Sequence, residues 1–292
     1  MIYAWIHSEK ATNPSFNVST ACRVLAVSRS GFYAWKRSSE TESPRQEANR
    51  LLLAEIQTIH NEFPAYGSPR VCVVLRSRGH PVGVNRVARI MNKHGIRARR
   101  GRLKERPRSA PPRRRPEIPD LVQRRFKAEA PNQLWCVDTT QIRTRQGWLY
   151  AVVIIDVYSR KIIAWTTSNH RTGNLALHAL DRAVQTRRPP PGGVVHSDRG
   201  YQFTAWEWTA AVDAAGLKPS IGKVGAAHDN ALIESWFSSF KNEAVYPYPM
   251  ARTREQARRT LFEHIHFHNQ RRLHSALAYT NPTTYEQTTV ST

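Results

Sequence analysis

Three acidic residues stand in stretches of sequence that suit metal-assisted phosphoryl chemistry. Asp138 lies inside WCVDTT (135–140), Asp198 inside HSDRGYQF (196–203) and Glu234 inside DNALIES (229–235). Asp138 falls in the middle of an alternating apolar and polar run, where an unpaired carboxylate would be costly to bury. Asp198 closes a short apolar strand just before Gly200, which leaves its side chain at the strand's end. Glu234 falls one turn into a helix after Asp229–Asn230, with 35 residues between it and Asp198. Three carboxylates gathered in an apolar frame repel one another unless cations join them. Such an all-oxygen set suits Mg²⁺, with Mn²⁺ as a substitute, and does not suit zinc. Two ions about 3.5–4 Å apart would activate an attacking oxygen and stabilise a leaving one. Taken singly, each acid also has a plainer reading. Asp138 can accept bonds from Thr139 or Thr140, Asp198 can cap a turn, and Glu234 can complement a helix dipole.

The elements needed to hold these acids are legible around them. Leu134 to Ile142 alternates, with Trp135, Val137 and Thr139 on one side and Cys136, Asp138 and Thr140 on the other. Trp148 to Val157 contains AVVII, the mark of a strand buried on both faces. A third strand over Lys161 to Thr166 completes an antiparallel meander. A helix then shows Leu177, Leu180 and Val184 on one face and ends at Arg187–Arg188 before Pro189. Further elements follow in order: a strand from Val194 stopping at Asp198, a helix from Thr204 to Ala215, a strand Leu217 to Ile221, and a helix Asn230 to Tyr246. This order predicts a mixed α/β layer fold with helices on the sheet faces.

Upstream, the pattern is helical. Leu52, Ile56 and Ile59 repeat at helical spacing, as do Val84, Val87, Ala88 and Met91, with Gly95 as the stop. Thr20 to Arg37 reads as two short helices broken near Val27–Ser28, with Ser28 placed to cap the second. Ala21, Leu25, Val27, Phe32 and Trp35 would fill the angle between them, a helix-turn-helix pattern. The other reading of that pair is a docking surface within an assembly.

Lys and Arg number 44 against 22 Asp and Glu, a formal charge of +22 in 292 residues, which points to a polyanionic partner. Nine arginines and Lys104 crowd Arg97 to Arg115, opposed by Glu105 alone and interrupted by Pro107, Pro111 and Pro112. No apolar period runs through this stretch, so it reads as a basic linker and the best domain boundary. Arg97, Arg99, Arg100, Arg102, Arg113, Arg114 and Arg115 would track phosphates without sequence choice, or simply hold a solvated tether extended. No apolar run approaches the ~20 residues that cross a bilayer, and the amino terminus does not read as an export signal. Cys22, Cys72 and Cys136, odd in number and far apart, exclude a disulfide framework and a CxxC metal clip. His264, His266 and His268 do not make a zinc site, because alternate helix residues diverge by roughly 200°.

The combination resembles a known family: the insertion-sequence transposases of the OrfB type, with a DDE core like that of retroviral integrases. The matching text comprises WCVDTT, IDVYSRKIIAW (155–165), HSDRGYQF, DNALIESWFSSFKNE (229–243), FHNQRRLHSAL (267–277) and NPTTYE (281–286). Upstream, YGSPRV (66–71), NRVARIMNKHGIRAR (85–99) and SRSGFYAW (28–35) resemble the family's helical amino-terminal region. The resemblance implies an RNase H-like mixed sheet flanked by helices, preceded by an all-α region with helix-turn-helix-like units. The expected divisions are 1–96 helical, 97–120 linker, 121–250 catalytic core and 251–292 helical tail.

Carried over by residue, the resemblance makes Asp138, Asp198 and Glu234 the catalytic metal ligands, with two Mg²⁺ per active site. It brings Lys241, seven residues after Glu234 and on the same helix face, to the transposon end. Asp156 precedes a turn and is not a ligand, and His196 supports the strand end. Arg271, Arg272 and His274 touch DNA or the core. The implied activity is strand cleavage at element ends, then strand transfer by a 3′-hydroxyl. The implied partners are terminal repeats, target DNA, further copies of the chain, and an upstream-frame DNA-binding protein or fusion, in the cytoplasm and associated with the nucleoid. Competing readings are a non-catalytic DNA-binding regulator or decayed transposase, and a plain nuclease of the RNase H type.

Overall fold

The computed structural model describes residues 2–40, 44–99, 118–222 and 230–290. The chain divides into two compact units, Met1–Arg97 and Ala98–Thr292.

The first unit is helical. It contains α1 (Ile2–Thr12), α2 (Val18–Val24), α3 (Arg29–Glu40), α4 (Pro44–Glu62), α5 (Ser68–Ser77) and α6 (Val84–Lys93). Asn17 caps α2 by accepting from the Thr20 amide, and the Ser28 hydroxyl accepts from the Gly31 amide at 3.2 Å to start α3. Between them the chain turns at Ala26, whose φ of 51° is left-handed. Ile6, Cys22 and Phe32 form the buried centre, with Tyr3, Ala21, Leu25, Val27 and Trp35 packed around it. The predicted pair therefore forms, and α1 closes over it. In α6 the buried face is Val87, Ile90 and Met91. Val84, expected on that face, is exposed because it sits at the first helical position, before the helix reaches its neighbours.

The second unit is built on a sheet. Among the described residues it has β1 (Leu134–Thr144), β2 (Gly147–Asp156), β3 (Ile162–Ser168), β4 (Val194–Ser197) and β5 (Lys218–Ile221), in the order β3-β2-β1-β4-β5. The meander β1-β2-β3 is antiparallel, and β4 and β5 add in parallel beside β1. This is the mixed RNase H-like sheet expected.

Alternation along the strands divides the core into two layers. Trp135, Val137, Val152 and Ile154 pack under α7 (Asn174–Arg187) and α8 (Trp206–Ala214). Cys136, Ile142, Leu149, Val153 and Ile155 pack under α9 (Ala231–Phe240) and α10 (Arg254–Gln270). In α7 the buried face is Leu175, Ala176, Ala179, Leu180 and Ala183, while Leu177 and Val184 lie at its margin. The small alanines let the helix approach the sheet closely, a contact that a reading weighted to large side chains passes over. Past Phe240, α9 widens into a π-turn, Lys241–Val245, in which the Tyr246 amide reaches the Lys241 carbonyl at 2.8 Å. The chain then enters α10, whose Ala257, Leu261 and Ile265 complete the lower core, and ends the described residues with α11 (Pro282–Val290).

Candidate active site

β1 and β4 run parallel, with Val137 opposite Ser197 as the last paired residues. Asp138 is the next residue along β1 and Asp198 the first residue after β4, so the backbone brings the two acids side by side where β4 ends. Asp138 is 6% exposed, whereas Asp198 is exposed. An Asp138 carboxylate oxygen, Oδ1, accepts from the Thr139 amide at 2.6 Å.

The loop after β4 is fastened beside Asp138 by a relay of short contacts. Asp198 Oδ1 accepts from the Gly200 amide at 2.9 Å, and Gln202 Nε2 donates to Thr139 Oγ1 at 3.1 Å. A Cβ on Gly200 would stand 2.6 Å from Gln202 Nε2 and 2.9 Å from Asp198 Oδ1, so only glycine leaves room for both. Arg199 turns the other way, its Nε donating to the Gly222 carbonyl at 2.8 Å.

The third acid arrives through α9. Asn230, the residue before the helix, is 3% exposed and its Nδ2 donates to the Val137 carbonyl at 3.0 Å. The helix start is thereby pinned to the peptide just before Asp138. Glu234 sits one turn on, its amide bonded to the Asn230 carbonyl, and its side chain is half-buried. Lys241 is half-buried two turns further, at the point where the π-turn begins, so its offset from Glu234 is still that of an α-helix.

The positions of Asp138 and Asp198 are therefore neighbours and the start of the Glu234 helix is tied beside Asp138, but the side chains do not meet. Among the described residues no three His, Cys, Asp or Glu groups stand close enough to hold one ion. Residues 223–229, which lead into Asn230, lie outside the described residues. In donor chemistry the set fits a hard divalent cation: three carboxylates, with the buried amide oxygens Gln202 Oε1 and Asn230 Oδ1, which have no hydrogen-bond partner among the described residues, on the same segments.

The other candidates divide clearly. Asp156, fully buried, lies opposite Trp135 on the side of the sheet away from Asp138's end. Its oxygens accept from the amides of Asn132 and Tyr158, both at 2.9 Å, and from Arg187 at 3.4 Å. Burial lifts its carboxyl above the usual range, against those bonds. His196 is buried with Nδ1 2.9 Å from Ser220 Oγ, a strand-to-strand tie. His264 and His268 face inward against Trp236, while His266 is exposed, so no alternating zinc set exists.

Arg97 is exposed, and Arg99 is exposed with its guanidinium 5.4 Å from the Tyr248 ring centroid. Arg100, Arg102, Arg113, Arg114 and Arg115 lie outside the described residues. Arg271 is exposed, but Arg272 is 5% exposed and grips both carboxylate oxygens of Glu243 at 2.9 Å. Arg272 therefore faces the core, where it joins the end of α10 to the π-turn.

Comparison with known proteins decides the family. Family models for an integrase core domain match residues 128–227 and 215–282, and one for an HTH-like domain matches 46–104. The chain is 35% identical over 291 residues to the transposase InsF of insertion sequence IS3A from Escherichia coli strain K12, covering 98% of each. The chain belongs to the IS3-family transposases. A second relative, the IS600 uncharacterized 31 kDa protein of Shigella sonnei, is 34% identical over 268 residues, covering 91% of this chain and 97% of that one. The simian T-cell lymphotropic virus intasome chain aligns with a TM-score of 0.47 and 15% identity over 79% of this chain and 74% of that one.

This transposase thus carries an integrase-type DDE enzyme core on the sheet that holds Asp138 and Asp198. The HTH-like match covers α4 to α6 and not the α2–α3 pair that the sequence singled out. Sequence reasoning also gave no role to Gln202 and Asn230. Both lie inside motifs already quoted, and the available signal was, for Gln202, a polar side chain between Tyr201 and Phe203.

Proposed function

We propose that Asp138, Asp198 and Glu234 are the catalytic ligands of this transposase, holding two divalent ions, Mg²⁺ or Mn²⁺. The observation that carries the reading is the Asn230–Val137 bond, which fixes the helix of Glu234 to the strand of Asp138 beside β4. When bound, the ions supply an activated attacking oxygen and charge stabilisation at the scissile phosphate. The chain's own contribution is position. Gln202 and Thr139 hold the Asp198 loop against β1, and Asn230 sets the start of the helix that presents Glu234. Exposed Asp198 and half-buried Glu234 have room to turn toward Asp138 once their repulsion is neutralised.

In this reading water opens the phosphodiester at an element end, and the freed 3′-hydroxyl then attacks a second strand in line. No covalent protein intermediate forms. Lys241 contacts the element end. Arg97, Arg99, Arg100, Arg102, Arg113, Arg114, Arg115 and Arg271 neutralise phosphates, and Arg272 supports the core from within. The substrates are terminal repeats and target DNA in the cytoplasm, at the nucleoid, with two ends brought together by more than one copy. An upstream-frame protein or fusion supplies further end recognition. Among the described residues no helix is long and apolar enough to cross a membrane.

The test is incubation of labelled element ends with Mn²⁺, read for both cleavage and joining. Asp138→Asn, Asp198→Asn and Glu234→Gln should each abolish both while leaving gel-shift retention of the same DNA intact. A variant that still cuts at the wild-type rate removes that acid from the site.

A further inference from the structure

The β1–β2 hairpin projects past the rest of the sheet. β4 pairs with β1 no further than Val137, and β3 pairs with β2 no further than Tyr150. Beyond those points the two strands continue alone to Thr144 and Gly147. At the projecting end Arg143 lies directly opposite Trp148, its guanidinium 5.7 Å from the ring centroid. Trp148 is 39% exposed.

A second segment lies along the same tip. The Arg145 amide donates to the Ala251 carbonyl at 3.0 Å, and Arg254 Nε donates to the Trp148 carbonyl at 3.1 Å. These bonds hold Ala251 and Arg254 against the hairpin, with Tyr248 three residues before Ala251. Tyr248 is 52% exposed beneath Arg99, and Arg145 and Arg252 are exposed. Among the described residues, none of Arg99, Arg143, Arg145 and Arg252 forms an ion pair with a carboxylate. The surface therefore carries two exposed aromatic rings, each with a guanidinium over it, and two further exposed arginines.

We propose that this tip is a stacking platform for single-stranded DNA. Guanidiniums beside exposed rings match a strand whose phosphates and unpaired bases are both accessible. A duplex hides its base faces and would use the charge alone. A second copy of this chain is a poor occupant, since each carries +22. The direction also suits a strand leaving the site. Arg143 lies five positions along β1 from Asp138, about 17 Å at strand rise. That last point rests on the proposed active site, whereas the binding itself does not.

The test uses the full chain in EDTA, so that it is independent of the acids. Fluorescence anisotropy would compare a labelled fifteen-residue oligo-dT, an abasic strand of equal charge, and a fifteen-base-pair duplex. Wild type should prefer oligo-dT to the abasic strand by about tenfold or more. Trp148→Ala with Tyr248→Ala should erase that preference and leave duplex affinity within about twofold, the scatter expected when no contact is lost. Trp206→Ala, which removes an indole that is 72% exposed elsewhere, should preserve it. Equal binding of oligo-dT and the abasic strand by wild type overturns the platform. So does a double variant that loses duplex and oligo-dT affinity alike, which would leave only a basic patch. Loss of DNA cutting in the acid variants with the oligo-dT preference intact would separate the two proposals.

Discussion

Asp138 and Asp156 are buried carboxylates of one sheet, and their neighbours give them different work. Asp156 is held by two amides and Arg187, and it braces the sheet beneath α7. Asp138 leads to a parallel strand end where a second acid and a helix start arrive together. The three acids were legible because each sits in a distinctive motif, but their spacing says nothing of Gln202 and Asn230. Those two act through space, by bonds to Thr139 and Val137 that lie 63 and 93 residues away in sequence. Nor can sequence show that the carboxylates stay apart, since that depends on side-chain rotation. Gly200 offers a test of the relay. Gly200→Ala should lower cleavage by about a hundredfold, as expected for an ångström of displacement at Asp198. Its melting temperature should change little, because the loop is at the surface. A variant that cuts normally would show that the close packing of Asp198 and Gln202 has no catalytic consequence.

At the scale of elements, α10 carries the most unusual interior. His264 and His268, one turn apart, are 6% and 2% exposed and lie against Trp236, with Phe240, Arg160, Arg272 and His274 around them. Burial first, then the neighbouring cations, pushes both imidazoles down to about 3. Unfolded, each ring takes up a proton below pH 6.5, while the folded rings stay neutral until about 3. The unfolded chain thus binds more protons in that window, and stability present above pH 6.5 is lost as pH falls. The loss should approach roughly 1.4 kcal/mol per pH unit for each ring. Urea denaturation at pH 7.5 and 5.5 reads this directly. His264→Leu should remove its share of the slope, and equal stability at both values would refute it.

The element order was readable from periodicity, because strands and helices of this length impose it. The break after Phe240 was not, since a π-turn leaves the apolar spacing of the helix unchanged. Helix α1 also escaped notice, because its residues become a core only when α2 and α3 fold beneath it.

At the scale of the whole molecule, the composition points to a nucleic-acid partner, and the first compact unit runs to Arg97. The basic stretch itself falls largely outside the described residues. The sequence treats 251–292 as a tail, whereas α10 supplies Ala257, Leu261 and Ile265 to the lower core. A fragment of residues 118–290 should therefore unfold in one cooperative step. One of 118–250 should bind hydrophobic dyes and aggregate, having lost a layer that covers Phe237 and Phe240. Cooperative melting of the shorter fragment would show that α10 is dispensable to the core.

The three free cysteines fall in three different places: Cys22 under α1, Cys72 in α5 and Cys136 in β1. All are buried, and burial pushes the Cys136 thiol well above its usual range. A maleimide pulse can therefore modify each sulfur only while its surroundings are open. Mapping the tagged peptides against time would clock three local breathing motions of the wild-type chain, without introducing any label site.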